Sequence, residues 1–252
     1  MRFAGKTVVI TGAGSGVGRG LAVGFSRDGA NVVAIGRTES DLARTAALCG
    51  ERGLVWIVGD VAREADVERL FAAAIARHGR VDILVNNAAL YPKQLFLESS
   101  HREWAYAIET NVTGLAYCCR LALPGMLERG HGRILNMGSF AWLHPIPASS
   151  AYAASKGAVR AFTKALAAEI DRQRYPDVLV NELLAGVYRT RMSETGDHPD
   201  DAYRHASFVA SLPANGPHGE IFLRSELYFE ETGLRARARR LASRILGRGA
   251  RA

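Results

Sequence analysis

The feature that most limits what this chain can become is a glycine-rich turn, Thr11-Gly12-Ala13-Gly14-Ser15-Gly16-Val17-Gly18, set between two hydrophobic periodicities. Before it, residues 6–10 form a short apolar run that reads as a buried strand; after it, residues 17–28 carry helical spacing. A strand that turns through glycines into a helix opens a βαβ unit, because parallel strands need a crossover connection. The remainder repeats the alternation. Strands are expected at 31–35, 54–58, 82–85, 133–137 and 178–184, and helices near 39–51, 64–78, 101–123 and 150–173. Thr38 and Asp41 read as the N-cap box of the 39–51 helix. Beyond 190 the pattern loosens to a helix near 200–211 and a strand at 220–223. Apolar strands alternating with helices imply a predominantly parallel sheet covered on both faces. The expected fold is α/β: one doubly wound domain over 1–230, followed by a basic helix or tail at 231–252.

With 252 residues, 48% of them apolar and 23% charged, the chain has the size and balance of one globular domain. No apolar run reaches the ~18 residues of a membrane-spanning helix. The apolar run before the glycine turn is too short for a secretory signal. Cys49, Cys118 and Cys119 are an odd set without CxxC spacing, and the histidines form no metal motif. No disulfide and no metal are expected, and the expected setting is cytoplasmic. The net charge of +7 belongs to residues 235–252, which hold seven arginines and no acid; the rest has 25 basic and 25 acidic residues. A neutral body gives no reason to expect nucleic-acid binding.

The turn itself is Gly-x3-Gly-x-Gly; GxGxxG and GxxxxGK are both absent. Glycines at such a place admit positive φ and let backbone N–H groups approach a phosphate, while the helix that follows offers its positive end. Gly12, Ser15, Gly16, Val17 and Gly18 are therefore candidate nucleotide-binding residues. The end of the second strand selects the nucleotide: an acid there suits a free ribose 2′-hydroxyl, an arginine a 2′-phosphate. The chain has Gly36-Arg37, so Arg37 favours NADP over NAD. Asp60-Val61 after the third strand and Asn86-Asn87-Ala88-Ala89 after the fourth are small clusters on the same edge, with Asp60 placed to accept from an adenine amine.

Tyr152 and Lys156 lie four apart on an expected helix and share a face. A phenol titrating near ~10 needs a nearby cation to serve as acid and base at neutral pH. Eight tyrosines and four lysines give a chance count of about 0.13 for this spacing, so the pair alone carries moderate weight. Ser139, after the fifth strand, could hold a substrate oxygen beside the phenol; a serine there also caps turns. Asn111 sits inside a long helix, where asparagine is poor, which points to a kink or a water site.

Together these residues resemble the short-chain dehydrogenase/reductase family: Thr11-Gly12-x3-Gly16-x-Gly18, Asp60-Val61, Asn86-Asn87-Ala88, Asn111, Ser139 and Tyr152-x3-Lys156, in matching order and spacing over about 1–190. The resemblance implies a single Rossmann-type domain with a sheet of about seven strands. It also implies hydride transfer between a nicotinamide and a substrate carbon. It implies Tyr152 as acid/base, Lys156 on the nicotinamide ribose and lowering the phenol's pKa, Ser139 orienting the carbonyl, and Asn111 holding a relay water. Where the family has Gly after Asn-Asn-Ala, Pro-Gly after the sixth strand and Val or Ile facing the carboxamide, this chain has Ala89, Ala185-Gly186 and Tyr188; Thr190 fits the family's Thr near the nicotinamide. Residues 215–222 are similar to the Gly-Pro-x-Gly-x-Phe segment of carbonyl-reductase-like members.

The reading that follows is an NADP(H)-dependent oxidoreductase acting on a carbonyl or secondary alcohol of a small to medium apolar substrate. Phe140, Trp142, Leu143, His144, Pro145, Tyr188 and Met192 are expected to line the pocket. The alternative is a catalytically inactive nucleotide-binding regulatory or scaffold protein, which the intact reactive set argues against. A homodimer or homotetramer is expected through the helices at 101–123 and 150–173. Leu234, Ala238, Leu241 and Ile245 recur at helical spacing among the tail arginines. They read as a terminal helix packed on a subunit, or else as a contact with a membrane or acidic partner.

Overall fold

The computed structural model describes residues 1–50 and 53–229; the expected basic helix at 231–252 lies outside the described residues. Eight strands form one sheet in the order β3-β2-β1-β4-β5-β6-β7-β8. The first six are β1 (Thr7–Thr11), β2 (Asn31–Gly36), β3 (Val55–Val58), β4 (Ile83–Asn86), β5 (Gly132–Met137) and β6 (Val178–Leu184). These and β7 (Ile221–Leu223) run parallel; β8 (Glu226–Tyr228) returns antiparallel on β7. This is one strand beyond the seven expected. The hairpin that adds it turns at Arg224, whose φ of 58 is a left-handed conformation that nothing in an Arg-Ser dipeptide advertises.

The strands that read as unbroken apolar runs are central. β1, β4, β5 and β6 are buried along their whole length, whereas edge strand β3 alternates and exposes Trp56 and Val58. The helices are α1 (Gly16–Arg27), α2 (Glu39–Leu48), α3 (Glu64–His78), α4 (His101–Ile108), α5 (Gly114–Arg129), α6 (Ser150–Ala168) and α7 (Ala202–Ala210). One face of the sheet packs with Leu21 and Phe25 of α1, Leu42 of α2 and Ala206 of α7. The other packs with Leu70 of α3, Cys118 and Met126 of α5, and Val159 of α6. Two apolar layers around one sheet are the doubly wound solution to burying both faces.

Two boundaries and one helix cap differ from the sequence reading for visible reasons. The single helix expected at 101–123 is α4 and α5 joined by a π-helical segment, Glu109–Thr113, which contains Asn111. Helix α6 ends at Ala168 rather than 173, before a turn in which Asp171 accepts from the Gln173 and Arg174 N–H groups. Thr38 occupies the N-cap of α2 but its side chain makes no capping bond; Asp41 is drawn away to Arg191 (2.7 Å) and Arg19 (3.5 Å). No helix among the described residues is long and apolar enough to cross a membrane, and none of their His, Cys, Asp and Glu side chains gather in a group of three fit for a metal ion.

Candidate active site

Strand order reverses between β1 and β4, and the crevice beyond their carboxyl ends is where such sheets take ligands. The glycine turn lies there. Gly12 and Gly16 have φ of 68 and 52, and a Cβ on Gly18 would collide with the Gly12 carbonyl oxygen. α1 starts without an acid in its first turn and without a side-chain cap from Ser15, so its first N–H groups and its positive end face the turn. Val17 packs on the core and fixes the helix start. Thr11 Oγ1 accepts from the Asn87 and Ala88 N–H groups (both 3.0 Å), while Asn87 Nδ2 donates to the carbonyls of Thr11 (3.0 Å) and Gly12 (3.2 Å). Residues from β1 and β4 thus lock one cradle, whose bare backbone and positive helix end fit a nucleotide pyrophosphate.

The loop after β6 crosses this cradle. Thr190 packs on Gly16, its N–H donates to the Ser193 carbonyl (2.8 Å), and Arg191 binds Asp41. Tyr188 does not form a pocket wall. Its side chain is buried in the core, and its hydroxyl donates to the Ala185 carbonyl (2.6 Å). Burial pushes that phenol up to about 12.

At the β2 and β3 end, Arg37 is exposed and its Nη1 donates to the Tyr106 hydroxyl (3.3 Å). That hydroxyl donates to Asp60 Oδ2, and Asp60 Oδ1 accepts from the Ala62 N–H (3.0 Å). The carboxylate expected to wait for an adenine amine is therefore engaged by a tyrosine that sequence reasoning missed. Val61 is buried, its carbonyl set against Gly114.

The reactive candidates meet at the β5 end. Ser139 accepts from the Ala141 N–H (3.2 Å), capping a 3-10 turn at Phe140–Trp142. Burial pushes the Tyr152 phenol up, and the Ser139 hydroxyl pulls it down. Lys156 Nζ lies 5.6 Å from the Tyr152 ring centre and donates to the Met137 carbonyl (2.6 Å). Burial lowers Lys156 to about 8, and Glu182 opposes that fall. Asn111 accepts from the Leu90 N–H (2.6 Å) and donates to the Leu90 carbonyl (2.9 Å) and to Ser155 Oγ (2.9 Å). The π segment points this asparagine inward, linking the β4 loop to α6. Tyr91, also missed, stacks on Tyr152 with ring centres 4.7 Å apart. No spacing rule announces Tyr91, which lies in the aperiodic loop after β4, or Tyr106 on α4, because the partner of each is far away in the sequence.

A fold, a phosphate cradle and a tyrosine–serine–lysine cluster in this arrangement define a nucleotide-dependent oxidoreductase. The short chain dehydrogenase family model matches residues 6–200, and the chain belongs to that family. It is 37% identical over 243 residues to an L-fucose dehydrogenase of Oryctolagus cuniculus, covering 90% of this chain and 82% of that one. It is 36% identical over 171 residues to a 3beta-hydroxysteroid dehydrogenase of Mediterraneibacter gnavus, covering 67% and 62%. A crystal structure described as a putative short-chain dehydrogenase/reductase from Burkholderia xenovorans superposes with a TM-score of 0.79 at 30% identity, covering 87% of this chain and 94% of that one. The protein is an oxidoreductase of this family, which uses NAD(P) and acts on small molecules.

Proposed function

We propose that this chain reduces a carbonyl, or oxidises the corresponding secondary alcohol, of a small to medium apolar substrate with NADP(H). The observation that carries the reading is the gathering of Ser139, Tyr152 and the buried Lys156 ammonium beyond the end of β5, with Lys156 Nζ 5.6 Å from the Tyr152 ring centre and bonded to the Met137 carbonyl. When bound, the nicotinamide supplies or accepts the hydride. Tyr152 gives its phenolic proton to the substrate oxygen in reduction and takes one back in oxidation. Ser139 holds that oxygen next to the phenol. Lys156 binds the nicotinamide ribose and stabilises negative charge as it develops on Tyr152. Asn111 fixes the α6 segment around Ser155 and holds the relay water. Gly12, Ser15, Gly16, Val17 and Gly18 receive the pyrophosphate; Asp60, Val61, Asn87, Ala88, Thr190 and the backbone, not the ring, of Tyr188 line the rest of the cofactor groove. Residues 1–230 form the catalytic domain.

The choice of NADP rests on Arg37, an exposed guanidinium beside Asp60 with no acid at Gly36. An apolar substrate is supported by Tyr91 over Tyr152 and by the loops after β5 and β6, which expose Leu143, Ile146 and Met192. Relatives named for a sugar and for a hydroxysteroid make both compounds natural members of a test panel. Half-covered Leu121 and Leu127 on α5 and Phe162 and Leu166 on α6 are the surfaces through which we infer a homodimer or homotetramer. A cytoplasmic setting fits a chain with three free cysteines.

The test is a carbonyl and alcohol panel followed at the nicotinamide absorbance with each cofactor. Turnover with NADPH on apolar ketones is expected. Turnover only with NADH, or only on the sugar, overturns the corresponding half of the reading. Cofactor binding without turnover of any panel member favours the nucleotide-binding scaffold.

A further inference from the structure

Strand β6 carries one charged residue in an otherwise apolar and amide sequence, Val-Leu-Val-Asn-Glu-Leu-Leu, and that residue, Glu182, is fully buried. An ionised carboxylate in such a place is costly unless it is paired. Both oxygens of its carboxylate are enclosed. The space they occupy exists because position 138 is glycine: a Cβ there would collide with Glu182 Oε1. Gly138 stands between Met137, whose carbonyl accepts from Lys156, and Ser139. The carboxylate therefore lies directly beneath the reactive cluster.

Two buried cations look at this position from α6. Lys156 and Arg160 are 3% and 7% exposed and lie one helical turn apart on one face. Arg160 Nε is 3.8 Å from Glu182 Oε2, and its Nη1 donates to the Gly219 carbonyl (3.0 Å). The groups facing Lys156 are Tyr152 on its own helix, the Met137 carbonyl from β5 and Glu182 from β6. The 3-10 turn contributes the neutral Ser139, and the π segment contributes the neutral Asn111 through Ser155.

We propose that Glu182 is a positioning residue that supplies the buried counter-charge of Lys156, in a pocket that Gly138 opens and Arg160 shares. It touches neither substrate nor cofactor and acts only through the ammonium. The proposal rests on the reading of Lys156 as part of the reactive cluster. With that negative charge removed, desolvation acts on the ammonium unopposed and part of the population loses its proton at neutral pH.

The chain has only four lysines, Lys6, Lys93, Lys156 and Lys164, so their side-chain carbons can be followed individually by NMR without substrate. In the native protein one signal, absent from Lys156→Met, is expected to titrate near about 8. In Glu182→Gln its midpoint should fall to about 7 or below. Should that variant fail to fold, Glu182→Ala combined with Gly138→Ala refills the vacated room with a methyl group and should move the midpoint the same way. An unmoved midpoint in either folded variant overturns the proposal, as does a native Lys156 midpoint already below about 7. Loss of turnover in Tyr152→Phe is the separate check. If that variant stays active, the reading of the cluster fails. If it is dead and the lysine midpoint is unmoved, only the role of Glu182 fails.

Discussion

The two ends of the cofactor groove are built in opposite ways. At the β2 and β3 end, an exposed Arg37 leads through half-buried Tyr106 to half-buried Asp60, a chain of contacts within reach of water and easily exchanged. At the β5 and β6 end, half-buried Ser139 and Tyr152 rest on Lys156, Ser155 and Asn111, which are almost wholly buried. A polar contact in water is worth little and substitutes freely; the same contact in the interior is costly to leave unmade. The groove thus combines a rigid chemical end with an adjustable recognition end, and mutations should read out that difference.

The largest effect belongs to the phenol. Tyr152→Phe should lower turnover by about a thousandfold or more while cofactor affinity stays within about twofold, measured by single-turnover kinetics and fluorescence titration. A tenfold loss or less would break the contrast at its strong end. Asn111→Ala comes next. It strips Leu90 and Ser155 of their buried partner, so thermal unfolding should reveal a loss of about 1–3 kcal/mol, with turnover reduced as well. An unchanged melting temperature would mean that the π segment is not the clamp described above. Arg37→Ala should cut the preference for NADPH over NADH by about tenfold, an effect that shrinks as salt is raised because the guanidinium is exposed. An NADPH affinity indifferent to both would remove the argument for NADP. The smallest change is expected from Tyr106→Phe. It releases Asp60 Oδ2 for the adenine and should tighten cofactor binding by about twofold to fivefold, read by calorimetry. Weaker binding would mean that the tyrosine assists the nucleotide rather than competing with it.

The same contrast explains what could be read from sequence. Central strands were legible because burial on both faces leaves an unbroken apolar signature, as in Val8, Val9 and Ile10. The glycine turn and the Tyr152–Lys156 pair were legible because each is a short-range pattern on a regular element. Asn111 was legible as an anomaly, and the π segment is its cause. Contacts between distant segments left no trace: Tyr106 reaches Asp60 across 46 positions, and Arg191 reaches Asp41 across 150. Glu182 was passed over because one charge inside an apolar strand does not disturb the periodicity. Its meaning depends on the glycine at position 138, just past the end of the neighbouring strand β5. Tyr188 was misjudged because a residue after a strand reads as a loop residue, whereas its ring turns back into the core.

The π segment gives the long helix between β4 and β5 a mismatch of phase. Five residues, Glu109–Thr113, occupy what would otherwise be a shorter α-helical arc, so the halves before and after them are wound out of step. The bulge and its extra residue belong together: removing one residue there would let the backbone close into ordinary α geometry with both halves keeping nearly their present faces, because five π steps turn the chain about as far as four α steps. Straightening the segment at its present length would instead rotate one half by about 100°, so that either α4 would swing Ala107 off its seat, or α5 would carry Cys118 and Met126 away from the sheet. For this stretch of chain, shape and length are therefore coupled: the bulge can be lost together with a residue, but not alone.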